Sequence, residues 1–85
     1  MRVTIPSPLL SYTGRREVQA QGTTLSAVLA DLDRQYPGIR FRMVDEQDRI
    51  RTHMRVFLDS DELRGLESPL PSTATLHIVQ ALSGG

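Results

Sequence analysis

The chain ends Ala81-Leu82-Ser83-Gly84-Gly85, and residue types here suggest a chemical role. At ordinary glycine usage two terminal glycines arise in roughly 0.5% of chains, and taken alone a frayed tail is a fair reading of them. Glycine carries no side chain, so Gly84 and Gly85 can enter a narrow cleft and adopt backbone angles closed to other residues. The five residues from Ala81 span at most about 17 Å, enough to bring the terminal carboxylate into a partner's active site while the rest of the chain stays outside. A carboxylate is a poor electrophile. Adenylation by ATP converts it to a mixed anhydride with a good leaving group, and a sulfur donor that displaces AMP leaves a thiocarboxylate. That route needs no cysteine side chain, and the sequence contains none.

The other candidate groups point to structure. His53 and His77 are too few for a metal site, and no ligand spacing surrounds them, so no metal is expected. Asp45, Glu46 and Asp48 lack the spacing and the glycine of a calcium loop and are read as a polar turn. Asp31 and Asp33 are two apart on a helix, so they cannot face one another as a catalytic dyad. There is no P-loop, no Ser–His–Asp pattern and no dinucleotide fingerprint. The chain is expected to be a substrate of enzymes rather than an enzyme, with no bound cofactor.

Composition narrows the setting. A chain of 85 residues supports one small domain, too little for a deep catalytic pocket beside a full core. Its ten basic side chains are all arginine, and they balance ten acidic ones at zero net charge. That balance gives no electrostatic case for nucleic acid or an anionic membrane. No apolar run approaches membrane-spanning length, and the N-terminal stretch lacks a signal-peptide core, so a soluble cytoplasmic protein is expected.

Stepping along the chain, Val3 and Ile5 alternate with polar neighbours in a strand stopped by Pro6. Ser7 to Gly14 is a connector, and Glu17 to Ala20 is a returning strand, which together make a hairpin. Leu25, Val28, Leu29, Leu32 and Tyr36 share one face of a helix capped by Thr23 or Thr24 and stopped by Pro37-Gly38. Asp31, Asp33 and Arg34 are assigned to its opposite, solvent face. Ile39, Phe41 and Met43 suggest a short helix. Met54, Val56 and Leu58 form the clearest strand, Asp59 to Glu62 a turn, and Leu63 a brief pairing. In the loop from Gly65 to Thr73, Leu66 and Leu70 plug the bottom of the core, and Leu76 and Ile78 mark the last strand. This order predicts an α+β roll, a mixed sheet of four to five strands on one main helix, with residues 1–80 as the domain and 81–85 as a flexible tail.

The chain resembles the MoaD/ThiS family of ubiquitin-like sulfur carriers nearly end to end. The resemblance rests on Val3-Thr4-Ile5-Pro6 with Thr13-Gly14, on the helix from Gly22-Thr23-Thr24-Leu25 to Tyr36-Pro37-Gly38, on Val56-Phe57-Leu58, and on the Gly-Gly terminus. Ile5-Pro6 and Tyr36-Pro37-Gly38-Ile39 are most similar to CysO-like carriers. The resemblance implies a β-grasp fold, an E1-like adenylyltransferase that uses ATP, a sulfur donor (a sulfurtransferase or sulfide), and a sulfur-accepting biosynthetic enzyme. It implies Gly85 as the site of adenylation and thiocarboxylation, with Gly84 giving clearance. Asp59-Ser60 replaces the Asn-Gly turn common in the family, Arg55 a frequent asparagine, and Gln80 a frequent proline. The acceptor pathway stays open among cysteine, thiamine, molybdopterin and secondary metabolites. Other readings are the small subunit of molybdopterin synthase, a β-grasp binding module with inert terminal glycines, and protein tagging through an isopeptide bond.

Strand alternation adds a candidate docking surface. If Met54, Val56, Leu58, Leu76 and Ile78 face the helix, then Arg55, Phe57, His77 and Val79 lie on the other face. Phe57 and Val79 would be its apolar centre, with Leu82 and Ser83 engaging the partner beyond it. The competing expectation is that the connector or the Gly65–Thr73 loop covers this face.

Overall fold

The computed structural model describes residues 1–81. Five strands form one mixed sheet in the order β2-β1-β5-β3-β4, built from β1 (Arg2–Thr4), β2 (Glu17–Gln19), β3 (Met54–Leu58), β4 (Asp61–Leu63) and β5 (Thr75–Gln80). Only the central β1–β5 pair is parallel, and the others are antiparallel. The main helix, α2 (Leu25–Gln35), packs its apolar stripe on one face of the sheet. Leu25, Val28, Leu29 and Leu32 are fully buried there with Val3, Val56 and Leu76. Thr24 caps the helix by accepting the Ala27 amide at 3.2 Å, as the sequence suggests.

Two shorter helices flank it. The predicted connector is ordered: a 3-10 turn over Ser7–Leu9 runs into α1 (Leu10–Thr13), and Leu9 is buried. Pro6 and Pro8, before and within the turn, restrict the backbone in advance, and a left-handed Gly14 closes α1, so this compact path is cheap. The predicted short helix is present as α3 (Ile39–Met43), with Ile39 and Met43 buried.

Strand β4 corrects the expected turn. The reversal is confined to Asp59 and Ser60, with Asp59 at φ 53, and Asp61 already pairs with Leu58. Asp59 holds the tight reversal because its carboxylate accepts the Thr75 amide at 3.0 Å. The Gly65–Thr73 loop packs at the start of α2, where Ser68, Leu66 and Thr23 carbonyls accept the amides of Leu25, Ser26 and Leu70. Leu70 is buried and Leu66 partly so, as expected. Seated there, the loop does not cover the open sheet face.

A second correction concerns Asp31, which is only 8% exposed rather than solvent-facing. Its carboxylate accepts the Gln21 amide at 3.0 Å and the Gln35 side-chain amide at 2.9 Å, and Arg34 pairs with it. It fastens the segment between β2 and α2 to the helix. The Gln21 amide, Gln35 and Arg34 together hold this carboxyl below its ordinary value, against the opposing pull of burial.

Candidate functional site

The register of β3 on β5 sets Arg55 opposite Val79 and Phe57 opposite His77. The four residues therefore share the sheet face away from α2, as strand alternation predicted. Val79 is 41% exposed, Arg55 is exposed, and Phe57 and His77 are half-buried. The polar groups on this face are largely satisfied by one another. His77 Nδ1 lies 2.9 Å from the Thr4 hydroxyl across the parallel β1–β5 pair. Arg55 donates to Glu62 at 3.0 Å, Arg64 stands 3.8 Å from the same carboxylate, and Arg2 pairs with Glu17 at 3.3 Å. Such solvent-washed pairs contribute about 0–1 kcal/mol each, so they lace the face without locking it.

The tail leaves from one end of this face. The Ala81 amide donates to the His53 carbonyl at 2.8 Å, so the ladder between β5 and the start of β3 runs one residue beyond Gln80. An open groove of about 470 Å³ borders this point, lined by Pro6, Pro8, Arg16, Ile78, Val79 and Gln80. Leu82, Ser83, Gly84 and Gly85 lie outside the described residues.

The other sequence candidates settle into structural roles. Among the described residues, no three His, Cys, Asp or Glu side chains come together as a metal site. Asp45 folds its own turn, accepting the amides of Gln47 at 2.9 Å and Arg49 at 3.0 Å. Chiefly the Arg49 amide, against partial burial, holds its carboxyl below the ordinary value. Asp33 accepts the Gly38 and Arg40 amides, both at 3.1 Å, and so joins α2 to α3. It does not approach Asp31 as a catalytic partner would.

One surface feature was missed in the sequence. Phe41 is 54% exposed, with the Arg51 guanidinium carbon 4.5 Å from its ring centre. Arg51 Nε also donates to the Phe41 carbonyl at 2.8 Å. The signal lay in Ile39 and Met43: burying that four-residue spacing turns Phe41, roughly 200° around the helix, outward.

With this geometry in view, the relatives are decisive. The sulfur carrier protein CysO of Mycobacterium tuberculosis (strain ATCC 25618 / H37Rv) is 32% identical over 89 residues, covering 98% of this chain and 96% of the relative. The chain belongs to the CysO family of sulfur carrier proteins. The CysO of Mycobacterium bovis matches with the same identity and coverage. No family model matches the chain. Among solved structures, the Amycolatopsis orientalis BexX/CysO complex superposes with a TM-score of 0.91 at 31% identity, covering 99% of this chain and 98% of that one. The M. tuberculosis CysO crystal structure gives 0.90 at 29% identity, over 95% of this chain and 98% of that one. Small archaeal modifier protein 1 from Methanosarcina acetivorans, at 22% identity and a TM-score of 0.81, shares the fold, covering 99% of this chain and 94% of that one.

The fold is thus the ubiquitin-like β-grasp that the resemblance implied. The protein is a sulfur carrier, and carriers of this family are substrates rather than catalysts. The Amycolatopsis carrier was captured in a complex with BexX, so CysO-like carriers bind partner proteins. No helix among the described residues is long and apolar enough to cross a membrane.

Proposed function

We propose that the terminal carboxylate of Gly85 is the sulfur-bearing group, activated by an E1-like adenylyltransferase and handed to a biosynthetic acceptor. The near full-length match to CysO sulfur carriers, in a chain that ends Gly84-Gly85, carries this reading. A carboxylate oxygen attacks the α-phosphorus of ATP and pyrophosphate leaves. Sulfide then attacks the acyl carbon, forming the C–S bond as the C–O bond to AMP breaks. The product is a thiocarboxylate, a nucleophile suited to sulfur delivery. The partner uses the ATP, and this chain supplies the carboxylate and a docking body, so no bound cofactor is required. The need for ATP argues for a cytoplasmic setting.

In this reading Arg55, Phe57, His77 and Val79 meet the partner while Leu82 and Ser83 line the path of the tail. The CysO match favours cysteine-type sulfur transfer over the thiamine and molybdopterin alternatives. Incubation with ATP, sulfide and the adenylyltransferase, followed by intact-mass analysis, tests the chemistry. The expected result is a single oxygen-to-sulfur exchange at the C-terminus, lost on deletion of Gly85. An unchanged mass with an enzyme active on its own carrier would overturn it and favour an inert binding module.

A further inference from the structure

We propose that a collar of guanidinium groups around the root of the tail docks this carrier onto an acidic rim at the mouth of the adenylating partner's cleft. The proposal rests on the tail chemistry above and adds the partner surface that chemistry requires.

Topology gathers the charge. β1 and β5 run toward the same end of the sheet, β3 starts there, and β4 finishes there. This brings Arg16, Arg51, Arg55 and Arg64 to the end from which the tail departs, although they are scattered in sequence. The opposite end carries the β3–β4 turn with Asp59 and Asp61. Arg2 shares that far end and Glu17 and Glu62 stand among the arginines of the near one, so the excess of guanidinium groups is a local feature of the tail's root.

Two adjoining grooves sharpen the point. One is lined by Phe41, Arg42, Arg51 and His53, and the other includes Arg51, Arg55, Arg64 and Glu62. Arg51 lines both, so the pair presents four guanidinium groups against one carboxylate. His53, whose carbonyl holds the Ala81 amide, lines the first, and its neighbours Thr52 and Met54 line the second. Arg51 is set in advance by its contact with the Phe41 ring and its bond to the Phe41 carbonyl. Less of its freedom remains to be lost on binding. Arg42 makes no ion pair or side-chain hydrogen bond among the described residues.

The occupant follows from the chemistry. Guanidinium forks match carboxylates in a bidentate geometry, and exposed Phe41 offers an apolar anchor beside them. A polymer of phosphates would feel the acidic far end as well, and the zero net charge supplies no general attraction to it. A carboxylate-rich protein rim meets only the collar, oriented so that the tail enters first.

The test uses the full chain with the E1-like adenylyltransferase from the same organism, following ATP-dependent pyrophosphate release across salt concentrations. The variant is Arg42→Glu with Arg64→Glu; both residues are exposed, so the fold should survive. We expect kcat/KM to fall about tenfold at low salt with kcat unchanged, the gap closing to about twofold near 0.5 M salt. Asp61→Arg, at the far end, should leave kcat/KM unchanged. A double variant within twofold of the parent at every salt concentration overturns the collar and leaves the carrier chemistry standing. If the parent itself is never adenylated, the carrier chemistry falls, and titration with a dodecaglutamate peptide followed by NMR decides the collar. Amide shifts concentrated at residues 41–42, 51–55 and 64 uphold it, and shifts spread evenly overturn it. Tighter binding of single-stranded RNA than of the peptide overturns the acidic-rim occupant.

Discussion

On β5, Leu76 and Ile78 are at most 3% exposed against α2, whereas their neighbours His77 and Val79 stand on the open face, Val79 at 41%. The same strand thus serves two environments at a period of two residues. On the helix side each side chain is held by burial, at roughly 25 cal/mol per Å² of apolar surface. On the open side the polar groups answer one another through Thr4–His77 and Arg55–Glu62, and only Val79 and part of Phe57 are left as apolar surface. One face is held by burial, and the other is the face on which the proposed docking would take place. A partner that covers the open face keeps or replaces weak exposed pairs, so docking there costs the carrier little.

The contrast breaks most visibly at two adjacent positions. Leu76→Ala should lower stability by about 3 kcal/mol in urea unfolding, because the cavity is fully enclosed. A domain of this size has about 4–13 kcal/mol in all, so the loss is large. His77→Ala, one residue along, gives up its hydrogen bond to Thr4 and should cost about 1 kcal/mol. If the two costs were similar, the division between the faces would not hold.

Next in size is Gly22→Ala, which tests how the strand-to-helix connection positions the buried face. Gly22 sits at φ +154, and an added Cβ would lie 2.7 Å from the Val28 nitrogen and 2.8 Å from the Ala27 Cβ. Neither the backbone nor the first turn of α2 can yield cheaply, so a loss of about 2 kcal/mol is expected in thermal or urea melts. Val79→Asp probes the other face. We expect partner-dependent thiocarboxylation to slow about tenfold, with a change in Tm of no more than a few degrees. An unchanged rate would remove Val79 from the docking surface.

The smallest effect is a pH dependence. The folded Asp31 carboxyl lies below its ordinary value of 3.8, mainly because it accepts the Gln21 amide. Its contribution is therefore fully present above the unfolded value and lost as pH falls through the lower folded one. Stability should decline on acidification below about pH 4, and Asp31→Asn should flatten that decline in urea titrations across the range. An unaltered slope would mean that other carboxylates, Asp45 among them, carry the acid sensitivity.

Much of this architecture was legible in the chain. The stripe Leu25, Val28, Leu29, Leu32 and the alternation at Met54–Leu58 and Leu76–Ile78 are period signals, and burial follows them directly. The four residues of the open face were legible for the same reason, since pleating leaves no freedom about which side a residue takes. Asp31 was not, because its burial depends on the Gln21 amide, ten residues back, arriving over the helix. Phe41 was legible only in part, because the spacing of Ile39 and Met43 assigns it a face only once those two are known to be buried.

By itself the sequence determined the helix, the strand faces, the absence of cysteine and lysine, and the pair Gly84-Gly85 on which the proposed carrier chemistry rests. Those properties are local, set by side-chain type and by repeats of two and 3.6 residues. Only the tertiary structure decided that Arg51, Arg55 and Arg64 gather where Ala81 leaves the sheet while Asp59 and Asp61 go to the far end. That arrangement depends on strand direction and neighbour order, with β1 parallel to β5 and β3 antiparallel to it. Pairing between distant segments sets that order, and no local pattern records it.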